Sequence, residues 1–175
     1  VGSVTGMYYY LKELGKKAVV VLPSSYPEYL SFLDKDRDYL IFTKNPEKVA
    51  QAIEESDLII GLDFNNLGRT EGVKNLFAAS SAQKILIDHH PNPERSSFDL
   101  ICSTVDTSST CELLFYILME TALVDNDIEK MPYRSAEGLA TGMLTDTNNF
   151  KNSSIASTYN MASLLLKRGV SLDDL

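Results

Sequence analysis

The chain has 175 residues, 44% of them apolar, which is enough for a sizeable core and excludes a disordered chain. A formal charge of −8 argues against a surface that grips long nucleic acid by neutralising phosphates alone, and a small anionic substrate would need a metal or a local basic group to offset that field. No apolar run approaches the ~18 residues of a membrane span, no signal peptide is visible, and Cys102 and Cys111 offer neither a disulfide framework nor zinc spacing, so the cytoplasm is the expected compartment.

Residues 2–15 read as a helix with Met7, Tyr10, Leu11 and Leu14 inward and Gly15 at its stop. The small residues at its start allow either close packing or the approach of an anion to backbone amides. Residues 18–22 form an apolar strand closed by Pro23, residues 26–33 a short helix, and residues 38–42 a weak strand. A helix over 46–55 has Pro46 in its first turn and Asn45 as candidate cap. The run 57–63 is a strand ending in Asp63, and the loop 64–70 leads to a helix over about 71–79. Residues 84–88 are the central strand and 99–103 another. Ser108 to Thr110 start a helix to about 120, with Leu113, Leu114, Ile117 and Leu118 inward and Ser109 and Glu112 at capping-box spacing. Helices follow over about 134–145 and 157–168, the second stopped by Gly169, and residues 171–175 read as the start of one more.

Strands alternating with helices imply an α/β domain of three layers, α/β/α, with a mostly parallel sheet of about five strands and the later helices packed at one end. The whole chain reads as one domain. It opens at Val1 without an initiator methionine, as a fragment would.

The central strand ends in Asp88-His89-His90-Pro91, which holds the chain's two histidines. Neighbours on a strand face opposite ways, so both imidazoles reach one site only if the backbone turns there, and Pro91 favours that turn. Asp63 ends another strand, and in open parallel sheets such ends converge on one crevice. A third carboxylate, Asp146, falls on the helical face of Leu139 and Met143, where an unpaired charge would be costly. Spacing alone leaves Asp146 equally readable as a helix terminus. Oxygen-rich ligands with an imidazole suit Mn²⁺ or Mg²⁺, and a pair of such ions supports phosphoester hydrolysis.

These residues resemble the DHH phosphoesterases. Ile87-Asp88-His89-His90-Pro91 is similar to the signature that names them, and Gly61-Leu62-Asp63 with Gly68-Arg69 to their second motif. Ser109-Thr110-Cys111-Glu112-Leu113 resembles the segment opening the next helix, and Thr141-Gly142-Met143-Leu144-Thr145-Asp146-Thr147-Asn148-Asn149-Phe150 the fourth motif, with Asn148-Asn149 where a Gly-containing pair is common. Gly2-Ser3 resembles the end of the first motif, whose histidine and two aspartates would precede Val1. Many members of that family also carry a second, substrate-gripping domain.

The resemblance implies that Asp63 bridges two metal ions, Mn²⁺ or alternatively Mg²⁺, and that His89 and Asp146 each ligate one. Asp88 orients a ligand imidazole, and His90 faces the substrate phosphate and assists the leaving group. Arg69 is a weaker candidate for a phosphate contact. The implied activity is hydrolysis of short oligoribonucleotides, linear or cyclic dinucleotides, or 3′-phosphoadenosine 5′-phosphate, with no stable complex with long nucleic acid, no membrane partner and a homodimer as one oligomeric form. The alternatives are a RecJ-type single-strand exonuclease, a manganese pyrophosphatase, and an inactive domain that binds nucleotides or a protein.

Overall fold

A computed structural model describes residues 1–36 and 38–175. The chain divides into two compact units, Val19–Thr104 and a second made of Val1–Ala18 with Val105–Leu175.

The first unit carries all the strands found among the described residues, and every pairing in it is parallel. β1 (Val21–Leu22) pairs with β2 (Leu40–Ile41), and β3 (Leu58–Leu62), β4 (Gln83–Asp88) and β5 (Leu100–Ser103) form a separate sheet in that order. The five strands therefore make two sheets rather than one. The expected strands at 18–22 and 38–42 shrink to two residues each, and Pro23, which has no N–H, closes the first. Leu86 and Ile87 are neighbours on β4 and both are buried, so the central strand is covered on both faces. Crossover helices pack beside β1, β2 and β3. α2 (Pro46–Glu54) and α3 (Val73–Ala79) bring Val49, Ile53 and Val73 into a core with Val21, Leu40, Phe42, Ile59 and Leu76. Asn45 sits at the start of α2 without making a side-chain cap bond.

The second unit is helical: α1 (Gly2–Glu13), α4 (Thr110–Met119), α5 (Tyr133–Asp146) and α6 (Ala156–Lys167). Its core is Leu114, Phe115, Leu139, Met143, Met161 and Leu165, all fully buried. α1 buries Gly2, Ser3, Thr5, Gly6, Tyr8 and Tyr10, not the face of Met7, Leu11 and Leu14 that periodicity suggests. The reason is close approach of backbones. A Cβ on Gly2 would lie 2.6 Å from the Gly138 carbonyl oxygen, and one on Gly142 would lie 2.1 Å from Cys111 Sγ. Ser135 Oγ donates to the Gly6 carbonyl across the same contact at 2.7 Å. Of the two readings of the small residues at the start of α1, close packing is the one realised. On α4 the inward face is Cys111, Leu114, Phe115 and Leu118, while Leu113 and Ile117 are only half-buried.

Half of the expected capping box forms. Glu112 N donates to Ser109 Oγ at 3.1 Å, but the Glu112 carboxylate accepts from the backbone and hydroxyl of Ser108 and from Thr158 Oγ1 instead. That carboxylate thereby ties the start of α4 to the start of α6. Gly169, at φ +93, lets the chain reverse after α6 while Val170 N donates to Leu165 O. No described helix is long and apolar enough to cross a membrane.

Candidate metal centre

β3 and β4 run parallel in register, Leu62 beside Ile87, so the residues that follow each strand emerge side by side. Asp63 N still donates to Ile87 O at 3.2 Å, and the chain then turns away because Asp63 takes φ +72, a left-handed conformation that aspartate tolerates better than most residues. β4 ends at Asp88, and the backbone bends at once, as Pro91 suggested. Both imidazoles consequently point into one place, their rings edge to face with centroids 4.6 Å apart.

Asp63, His89 and His90 each present one donor atom, and the three lie within 4.8 Å of one another. His89 Nε2 stands 3.8 Å from Asp63 Oδ1. That is too long for a hydrogen bond and within the ~4.2 Å spanned by two metal–ligand bonds of about 2.1 Å. All three side chains are partly exposed, so an ion from solvent can reach them. One carboxylate and neutral imidazole nitrogens are a donor set that a divalent first-row ion accepts. The residues fit a metal.

His90 is held differently from His89. The Asp88 carboxylate is fully buried, and it accepts from His90 Nδ1 at 2.7 Å and from His90 N at 3.1 Å. Because an ionised carboxylate can only accept, this pairing puts the ring proton on Nδ1 and leaves the lone pair on Nε2. The imidazole that Asp88 holds by hydrogen bonds is that of His90.

The group of three donor atoms does not include the other two expected residues, Asp146 and Arg69. Asp146 is the last residue of α5 and is exposed, so the burial penalty anticipated on the Leu139–Met143 face does not arise; the helix ends before its side chain is covered. It belongs to the helical unit, whereas Asp63, His89 and His90 belong to the unit of parallel strands. Arg69 lies exposed in the short 3₁₀ turn Leu67–Thr70. Two residues that no sequence pattern singles out, Asn65 and Glu94, bond the loop after β3 to the loop after β4: Asn65 Nδ2 donates to Pro91 O, and Leu67 N donates to a Glu94 carboxylate oxygen.

No curated protein matches the chain. Among solved structures, an exopolyphosphatase-related protein from Bacteroides fragilis superposes with a TM-score of 0.92 at 34% identity, covering 99% of this chain and 50% of that one. The chain therefore spans about half the length of that relative. The model of the DHH family, N-terminal domain, matches residues 1–143. With parallel strands that end in Asp63 and in Asp88-His89-His90, and with that match over most of its length, the chain belongs to the DHH family and has its phosphoesterase-like α/β fold.

Proposed function

We propose that this chain is the catalytic domain of a metal-dependent phosphoesterase acting on short phosphoester substrates: short oligoribonucleotides, linear or cyclic dinucleotides, or 3′-phosphoadenosine 5′-phosphate. The observation that carries the proposal is the Asp63–His89 pair, 3.8 Å between donor atoms, beside an imidazole whose tautomer a buried carboxylate sets. Asp63 and His89 would hold a divalent ion, Mn²⁺ in this reading, and Asp146 is proposed from its motif as a further ligand. When bound there, such an ion would supply Lewis-acid polarisation of a phosphoryl oxygen and would make water a better nucleophile at neutral pH.

The chain's own groups do the rest. His90 Nε2 carries a lone pair when the ring is neutral, so it can accept a proton; once protonated, it can hand that proton to a departing alkoxide oxygen. Asp88 stabilises the imidazolium as well as the neutral tautomer, since the bond at Nδ1 persists in both forms. Arg69, exposed on its turn, is free of burial costs and can meet a phosphate of the substrate. The net charge of −8 favours short anions over long strands, because few phosphates need be neutralised at once.

The relative from Bacteroides fragilis favours a second reading. Its description as exopolyphosphatase-related makes inorganic polyphosphate an alternative substrate class. One experiment separates them. The gene product that contains this chain is offered a dinucleotide, 3′-phosphoadenosine 5′-phosphate, single-stranded DNA, pyrophosphate and polyphosphate, each with and without Mn²⁺. The proposal expects Mn²⁺-dependent hydrolysis of the dinucleotide or the phosphoadenosine. Turnover of polyphosphate alone would establish the second reading, and metal-independent turnover would end both.

A further inference from the structure

We propose that Glu94 is a positioning residue, which fixes the reach of Asp63 toward His89 and His90 by tying together the loops that follow β3 and β4. The inference rests on the reading of Asp63 and His89 as metal ligands and extends it to a residue outside that cluster.

Four hydrogen bonds join or brace these loops. One Glu94 carboxylate oxygen accepts from Leu67 N at 3.0 Å, and the other accepts from Ser97 Oγ at 2.8 Å. The Glu94 backbone N–H donates to Asn65 O at 2.7 Å, and Asn65 Nδ2 donates to Pro91 O at 2.9 Å. Three of the four cross from residues 65–67 to residues 91–94, so the loop that begins at Asp63 cannot swing without moving the one that begins at His89.

The β ladder does not accomplish this alone. Its last bond is Asp63 N to Ile87 O, and beyond it the first chain turns left-handed at Asp63 and the second again at Asn92, φ +57. Two adjacent reversals with no ladder between them would leave the donor atoms at 3.8 Å poorly fixed, since a metal site tolerates little slack in its ligand positions. The carboxylate of Glu94 meets Leu67 N beyond the first of those reversals. The Leu67 amide and the Ser97 hydroxyl hold the Glu94 carboxyl below the usual carboxylate range, which accords with the ionised acceptor this tie needs.

The test is Mn²⁺ titration by calorimetry on the wild type, Glu94→Ala and Glu94→Gln, with hydrogen exchange measured on each. Gln can still accept from Leu67 N and donate to Ser97 Oγ, so it rescues the geometry without the charge. Glu94→Ala is expected to bind Mn²⁺ at least tenfold more weakly, the scale for outer partners of metal ligands, with faster exchange in both loops; Glu94→Gln should stay within about threefold of wild type. Glu94→Ala with wild-type affinity, or Glu94→Gln as weak as Glu94→Ala, overturns the assignment. A wild type that binds no Mn²⁺ overturns the metal reading itself and the assignment with it. If Glu94→Ala does not fold, Asn65→Ala removes the exposed bond to Pro91 between the same loops and should weaken Mn²⁺ by about tenfold, the low end of that scale; affinity within about threefold of wild type overturns the assignment.

Discussion

Replacing Asp88 with Asn tests the orienting pair while keeping the shape of a fully buried side chain. In the wild type the carboxylate accepts from both His90 Nδ1 and His90 N. A hydrogen bond to a charged group contributes about 1.5–3 kcal/mol, so the tautomer protonated at Nδ1 should outweigh the other by roughly 10- to 150-fold. Asn can accept through only one oxygen and can instead donate an N–H to Nδ1, which stabilises the opposite tautomer. The preference should fall to about 2- to 10-fold, the range for a neutral bond of about 0.5–1.5 kcal/mol, or reverse. The assay is a long-range ¹H–¹⁵N spectrum of the imidazoles, made simple because the chain has two histidines. Wild-type His90 should show a protonated Nδ1 and an unprotonated Nε2, and Asp88→Asn should shift toward protonation at Nε2. A wild-type ring protonated at Nε2 alone, or an unaltered tautomer in the Asn variant, would refute the reasoning.

Glu112 gives a pH prediction. Burial pushes its carboxyl up, but hydrogen bonds from Ser108, Ser157 and Thr158 outweigh that and hold it below the usual carboxylate value. A lowered folded pKa contributes stability that is fully present above the unfolded value near 4.3 and is lost as pH falls through the folded one. The stability gap between wild type and Glu112→Gln, measured by urea unfolding, should be largest at neutral pH and shrink below about pH 4; a gap that widens in acid contradicts this. Gly142→Ala sets a methyl 2.1 Å from Cys111 Sγ and should cost about 1–3 kcal/mol, or a Tm drop of roughly 2–12 °C, with partial recovery on adding Cys111→Ala. In titrations with Mn²⁺, His89→Ala should lose more affinity than His90→Ala, which should mainly lower kcat; equal losses would make His90 a third ligand.

Much of the candidate centre was legible because it follows from strand geometry. A β-branched run ending in Asp63 and another ending in Asp88-His89-His90 mark two parallel strand ends, and once the strands are neighbours in register their terminal side chains must meet. What escaped depends on packing partners that no local pattern encodes. Met7, Leu11 and Leu14 look like the inner face of α1, yet the helix turns its glycines inward because α5 carries glycines at the matching positions. The apolar face shared by Leu139, Met143 and Asp146 is real by periodicity, but Asp146 stands where the helix ends and its cover stops. Glu112 has capping-box spacing and spends its carboxylate on Thr158, 46 residues away. Glu94 reaches Leu67 across 27 residues, a tie between two loops whose sequence shows only ordinary turn residues.

The central claim is that the ends of β3 and β4 hold a divalent ion. The most direct measurement is anomalous diffraction at the manganese edge from crystals of this chain grown with Mn²⁺, compared with crystals of Asp63→Asn, which keeps the left-handed turn and removes the charge. An anomalous peak in contact with the Asp63 carboxylate and His89 Nε2 is expected in the wild type, and its loss in the variant. Ordered Mn²⁺ bound elsewhere with none between those two side chains, or a peak undiminished in Asp63→Asn, would contradict it.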